Sequence, residues 1–165
     1  MSGAPFRLAR LDAAHDRAGF NSDSEALNRY LREQVTQDIR RRVAACFVAL
    51  ADGQRIAGYY TLASASLLLS DLPASTGKKL PRYPTVPTIR MGRLAVDQAF
   101  KGQGLGGALL ADALDRAARS EIAAFALMVD AKDEAAAAFY QHHGFIALPD
   151  SPLTLFLPLA TARRS

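Results

Sequence analysis

A chain of 165 residues, half of them hydrophobic and with 20 Lys and Arg against 16 Asp and Glu, has the size and composition of one globular domain spanning residues 1–165. Its single cysteine, Cys46, excludes an internal disulfide, and no His-x-x-x-His or comparable spacing indicates a metal. No apolar run is long enough to span a bilayer, and Pro5, Arg7 and Arg10 break up any signal-peptide core, so a cytoplasmic protein without a membrane partner is expected.

In chain order, Pro5 to Asp12 alternates apolar residues with Arg7 and Arg10 and predicts a first strand. Ser22-Asp23-Ser24-Glu25 offers N-cap candidates, including a Ser-x-x-Glu capping box. Leu27, Leu31, Val35 and Ile39, with Tyr30 beside them, then form an apolar stripe, predicting one helix or two with a kink between Asp23 and Arg42. Two strands follow, Cys46 to Leu50 and Ile56 to Leu69, joined by a hairpin turn at Asp52-Gly53. Cys46 opens an apolar run and is expected in the core.

A connector with Pro73, Pro81, Pro84 and Pro87 reads as an exposed loop that a partner can order. From Pro73 to Val96 the chain carries Lys78, Lys79, Arg82, Arg90 and Arg93 and no acidic residue, while Arg40, Arg41 and Arg42 form a second basic block. The net charge of +4 is mild, so it is this clustering that marks candidate contacts to a polyanion.

A strand from Thr88 to Val96 leads through a short connector into a glycine-rich loop, Gly102 to Gly107. An amphipathic helix with a Leu105, Leu109, Ala113 and Ala117 face follows. Glycines that let a ligand approach the backbone, placed before a helix N-terminus with unpaired N–H groups, make a phosphate site. A P-loop is excluded because no Gly-Lys-Ser/Thr stands at the helix start. Gly102, Gly104 and Gly107 do fit a dinucleotide fingerprint. However, Asp97 to Lys101 separate them from the strand, and too little chain follows for a doubly wound sheet. Beyond the loop, Ile122 to Val129 predicts a strand buried on both faces. Asp133 to His142 predicts a helix stopped by Gly144, and Phe145 to Ala147 and Leu153 to Leu157 predict two last strands.

Lys101-Gly102-Gln103-Gly104-Leu105-Gly106 resembles the pyrophosphate loop of the GNAT acetyltransferases, with Lys101 where that pattern has Gln or Arg. The element order, strand, helices, three strands, helix, strand, helix, two strands, is also that of the GNAT fold. The resemblance implies an α+β, three-layer acyl-CoA N-acyltransferase fold, with a mixed, mostly antiparallel sheet splayed between strands 4 and 5 and flanked by helices. It implies acetyl-CoA as co-substrate, held by Leu94, Ala95, Val96, Lys101, Gly102, Gln103, Gly104, Leu105, Gly106, Gly107, Asp133 and Phe139. Asp133 stands where many members have Asn. Tyr140 in Asp133-Glu134-Ala135-Ala136-Ala137-Ala138-Phe139-Tyr140 takes the position of the family tyrosine that faces the thioester sulfur. A phenol is protonated at neutral pH and can donate to a departing thiolate. His142 and His143 are adjacent and are expected in surface or packing roles.

Phe20-Asn21-Ser22, Leu27 to Leu31, Gly58-Tyr59-Tyr60-Thr61-Leu62 and Arg90 to Val96 look like the GNAT toxins of bacterial toxin–antitoxin pairs. Those enzymes acetylate the α-amine of aminoacyl-tRNA and block translation. The chemistry is compatible: an α-amine is partly neutral near pH 7, a lysine amine is not, and no base stands between Pro73 and Val96. On this reading Lys78, Lys79, Arg82, Arg90 and Arg93 contact tRNA, and the resemblance implies a homodimer and a small DNA-binding antitoxin. A GNAT enzyme acting on a small amine or a protein N-terminus, or a non-catalytic CoA-binding module, are the competing expectations.

Overall fold

In the computed structural model, residues 6–162 are described, so Pro5, the expected start of the first strand, and Arg163-Arg164 lie outside the described residues. In chain order the elements are β1 (Arg7–Arg10), α1 (Glu25–Arg29), a π-helical turn (Tyr30–Gln34), α2 (Val35–Arg40), β2 (Ala45–Leu50) and β3 (Ile56–Leu68). Then come α3 (Ala74–Gly77), β4 (Thr85–Val96), α4 (Leu105–Ala118), β5 (Ala126–Asp130), α5 (Glu134–His142), β6 (Ile146–Leu148), β7 (Ser151–Pro158) and α6 (Leu159–Ala162). Strand order in the sheet is β1-β2-β3-β4-β5-β7-β6, mixed in direction through the parallel pairing of β4 with β5. The chain divides into two compact units, Met1–Ala63 with Gly92–Ala113, and Ser64–Met91 with Leu114–Ser165.

In the first unit, β1 pairs antiparallel with β2 and β2 with β3, which places Phe47 opposite Tyr60 and Val48 opposite Tyr59. Side chains alternate across a strand, so each face of this hairpin has its own helix layer. Cys46, Val48, Leu50 and Tyr59 pack with Leu31 and Val35 of the first helical segment. The Tyr59 hydroxyl donates to the Leu27 carbonyl at 2.7 Å, while the Tyr60 hydroxyl donates to Asp112 on α4 at 2.6 Å. Gly58 shares a face with Tyr60. A Cβ there would lie 2.8 Å from Leu109 Cδ1, 3.0 Å from the Ala95 carbonyl oxygen and 3.3 Å from Leu105 Cδ2, so its absence is what lets α4 seat on the sheet.

Of the expected N-cap candidates Ser24 is the cap, its hydroxyl accepting the Leu27 N–H at 3.2 Å, while the Ser22-x-x-Glu25 capping box does not form. Ser22 is buried instead, its amide and hydroxyl both donating to Asn28 Oδ1. The stripe Leu27, Leu31, Val35, Ile39 advances four residues at each step, which drifts about 40° per step around an ideal α-helix. The wider i→i+5 turn at Tyr30–Gln34 absorbs that drift and keeps Leu31 and Val35 fully buried.

In the second unit, β4 and β5 pair in parallel from Thr88↔Ala126 to Met91↔Val129, and β4 runs on to Val96 after that ladder ends. β7 pairs antiparallel with β5 and with β6. Leu67, Leu72, Val86, Ala126, Met128, Leu148 and Phe156 form the core. Two expectations change here. The strand expected from Ile122 starts at Ala126, and Ile122 is 80% exposed. The proline-rich connector from Pro73 is exposed at Lys78, Lys79 and Pro81 to Pro84 as expected, but it is not all loop: it contains α3 and buries Gly77, and a 3-10 turn (Leu69–Asp71) with buried Leu72 precedes it.

Two outcomes are expected. Gly58→Ala should lower stability by about 1–3 kcal/mol in thermal or denaturant unfolding, through overpacking against backbone and Leu109. Cys46 is buried, and desolvation pushes its thiol up to about 12, so thiol reagents should label it only after unfolding.

Candidate active site

The connector after β4 is a short 3-10 turn, Gln98–Phe100, capped by Asp97, whose Oδ1 accepts the Ala99 N–H at 2.8 Å. Gly102 and Gly104 follow at φ of 78° and 77°, in the left-handed region where a side chain is strained. The loop is shorter than expected: α4 begins at Leu105, so Gly106 and Gly107 lie in its first turn. The first intrahelical bond at this end runs from the Ala108 amide to the Gly104 carbonyl. The amides of Leu105, Gly106 and Gly107 therefore have no intrahelical acceptor, and no acidic residue stands in that turn. Gln103 is exposed and nothing lies within 4 Å of a Cβ added at Gly102 or Gly104. This is an open cradle of main-chain donors at a positive helix end, suited to phosphate oxygens.

The same connector is tied to the segment ahead of α1. Asp97, 4% exposed, also accepts the Asn21 N–H at 2.8 Å, and the Gln98 amide donates to the Asn21 carbonyl. Lys101 forms an ion pair with Asp23. Upstream on β4, Ala95 is buried and Leu94 and Val96 are half-buried. Arg93 lies over the Tyr30 ring, its Cζ 3.6 Å from the centroid.

In the second unit Arg90 pairs with Asp130 at the end of β5, 3.6 Å away, and Thr154 donates to the other oxygen of that carboxylate. Arg82 turns back on its own connector and donates to the carbonyls of Gly77 and Leu80. Lys78 and Arg82 meet in an open groove of about 660 Å³ lined also by Leu68, Leu72 and Tyr83, while Lys79 is exposed outside that lining.

Tyr140 sits in the last turn of α5, 8% exposed, against Phe139 and Phe145. Burial pushes its phenol up to about 12, so the hydroxyl is protonated throughout the neutral range, and no described residue hydrogen-bonds it. Gly144, at φ 96°, ends the helix as expected, with the Phe145 amide returning to the Tyr140 carbonyl. Asp133 is the N-cap of α5, and its Oδ1 accepts the Ala136 N–H at 2.8 Å. His142 and His143 are exposed, and the His143 ring packs on Phe139. Among the described residues no cluster of His, Cys, Asp or Glu is arranged to hold a metal.

The model of the acetyltransferase (GNAT) family matches residues 9–145. The chain belongs to this family. Among curated GNAT relatives, a "tRNA-acetylating toxin" from Mycobacterium tuberculosis (strain ATCC 25618 / H37Rv) is 38% identical over 99% of this chain and 97% of its own length. A "probable toxin TacT" from Sinorhizobium fredii (strain NBRC 101917 / NGR234) is 29% identical over 90% and 88%. Among solved structures, AtaT complexed with acetyl-methionyl-tRNAfMet superposes with a TM-score of 0.89 at 30% identity, covering 96% of this chain and 98% of that one. AtaTR bound with AcCoA gives 0.83 at 28% identity over 97% of both chains. A mutant AtaT toxin bound to the C-terminus of the antitoxin AtaR gives 0.83 at 26% identity over 98% of both.

Within this GNAT chain, the positive-φ glycines were legible in the sequence, whereas the groups that hold the charged side chains were not. Tyr30 under Arg93, Asp130 beside Arg90 and Asp97 under the connector carry no local motif, because each partner lies far along the chain. Asp133→Ala should cost about 0.5–2 kcal/mol through loss of the α5 cap, and Asp133→Asn should restore nearly all of it in thermal unfolding.

Proposed function

We propose that this GNAT enzyme transfers the acetyl group of acetyl-CoA to the α-amine of aminoacyl-tRNA, and so inhibits translation as the toxin of a toxin–antitoxin pair. The observation that carries the chemistry is Tyr140: a protonated, desolvated phenol with no protein partner among the described residues. The named activity of the M. tuberculosis relative and the tRNA-bound AtaT structure support the acceptor, and the AcCoA-bound AtaTR structure supports the donor.

In this reading the open amides of Leu105, Gly106 and Gly107, with Lys101, Gly102, Gln103 and Gly104, hold the pyrophosphate of acetyl-CoA. Asp133 and Phe139 lie at the two ends of the α5 stretch that lines its arm. The neutral amine attacks the acetyl carbonyl, whose oxygen is held by backbone N–H groups around Leu94, Ala95 and Val96. The C–N bond forms, the C–S bond breaks, water carries off the amine proton, and the Tyr140 hydroxyl protonates the leaving thiolate. Lys78, Lys79, Arg82, Arg90 and Arg93 supply the phosphate contacts to tRNA. The reading takes residues 1–165 as one domain, working in the cytoplasm as a homodimer that a small DNA-binding antitoxin neutralises. The antitoxin-bound AtaT structure supports that last partner.

Incubating the protein with acetyl-CoA and bulk charged tRNA should yield acetylated aminoacyl-tRNA that ribonuclease treatment beforehand abolishes. Turnover on a small amine or peptide N-terminus, indifferent to ribonuclease, would instead identify a different acceptor. Tyr140→Phe should lower kcat at least about 100-fold while leaving the dissociation constant of acetyl-CoA within about twofold. Gly104→Ala, which strains the loop at φ 77°, should raise the KM for acetyl-CoA more than it lowers kcat.

A further inference from the structure

We infer that Tyr30, Gln34 and Asp38 are positioning residues that hold Arg93 as a preorganised receptor for a phosphodiester of the aminoacyl-tRNA; this rests on the acceptor proposed above. The guanidinium of Arg93 stacks on the Tyr30 ring at 3.6 Å. Stacking occupies the flat face of the cation, while its N–H donors project from the edges. No described carboxylate or carbonyl pairs with those edges, although Arg93 is half-buried. An arginine in this state has lost much of its rotamer freedom and retains its hydrogen-bonding capacity. A planar fork held that way matches phosphate oxygens.

The platform is itself fixed. Tyr30 is 7% exposed, and its hydroxyl donates to Asp38 Oδ2 at 2.7 Å, while Gln34 Nε2 donates to Oδ1 of the same carboxylate at 3.0 Å. Burial, then the bond to Asp38, raises the Tyr30 phenol above its usual range, and the bonds from Gln34 and Tyr30 hold Asp38 below its usual range. The Tyr30–Asp38 bond is therefore intact across the neutral range. Tyr30 and Asp38 are eight residues apart, more than two α-helical turns, and the π turn starting at Tyr30 lies between them. π turns of this kind recur at functional sites. Asp38 also sets the charge balance: it is close enough to attract Arg93 but engages Tyr30 and Gln34, so the cation is steered without being neutralised by a direct pair.

The test is steady-state acetylation of bulk charged tRNA, with KM for tRNA, KM for acetyl-CoA and kcat measured separately across salt. Arg93→Ala should raise the KM for tRNA about tenfold and flatten the log–log salt slope by about one, with KM for acetyl-CoA and kcat within about twofold. Tyr30→Leu should reproduce both effects, and the double variant should be no worse than Arg93→Ala alone, because the two act as one unit. Asp38→Asn, a nearly isosteric change at a half-buried position, should raise the KM for tRNA about threefold. It should also reduce the ring-current shift of the Arg93 δ-methylene protons in NMR spectra. If Arg93→Ala weakens tRNA binding while Tyr30→Leu leaves the KM for tRNA unchanged, or Asp38→Asn leaves both that KM and the ring-current shift unchanged, the positioning role is overturned. Additive effects in the double variant overturn it too. If Arg93→Ala changes nothing for tRNA, the receptor itself is overturned, with the acetylated product still formed. Absence of that product from the wild-type protein marks failure of the acceptor reading instead.

Discussion

Two consecutive tyrosines on β3 set the geometry on which the first unit depends. Neighbouring residues of a strand point to opposite faces, so Tyr59 and Tyr60 each bury a ring on one side and offer one hydroxyl to the helix beyond it. Tyr59 reaches the Leu27 carbonyl and packs edge-on against Phe20; Tyr60 stacks on Phe47 and reaches Asp112 of α4. A buried hydroxyl must find a partner or pay its desolvation, which makes both helix positions specific rather than merely apolar. Gly58, one residue upstream, then removes the bulk that would hold α4 away. The glycine cradle at the start of α4 inherits its position from that contact.

The polar groups of each unit differ in how they are held. Amides at the start of α4 are fixed by the backbone and do not titrate. Arg93 is fixed by an aromatic face and Arg90 by a carboxylate, Asp130. Tyr140 is fixed by packing between Phe139 and Phe145, and its apolar surroundings keep the phenol protonated. In the first unit, neutral amides and an immobilised cation suit phosphate oxygens; in the second, a protonated phenol is a neutral hydrogen-bond donor.

Much of this was legible in the residues, and what was not has identifiable causes. The glycine spacing marked the cradle because positive φ leaves few alternatives to glycine, yet it overstated the loop, since Gly106 and Gly107 are also compatible with a helical first turn. The apolar residues from Ile122 looked like strand, but pairing with β4 begins only where the Phe125 amide meets the Pro87 carbonyl, and Ile122 has no ladder to join. Ser22 satisfied the capping pattern and was instead consumed by Asn28, six residues on. The four-residue spacing of Leu27, Leu31, Val35 and Ile39 did hold the signal of a widened turn. It passes for an ordinary helical stripe unless the accumulated drift is followed. Partners such as Tyr30 with Arg93 depend on tertiary approach, and no local pattern carries them.

That widened turn also bears on how the chain can vary. Five residues in it sweep about the angle that four sweep in plain α-helix, so were one residue lost from Tyr30–Gln34 the segment could rewind as α-helix with Val35, Asp38 and Arg40 to Arg42 on nearly the sides they now hold. A residue lost from the plain α-helix on either side has no such outlet: everything beyond it would rotate by about 100° about the helix axis. The turn is therefore the one place in this segment where length can change without re-aiming the basic end of the helix.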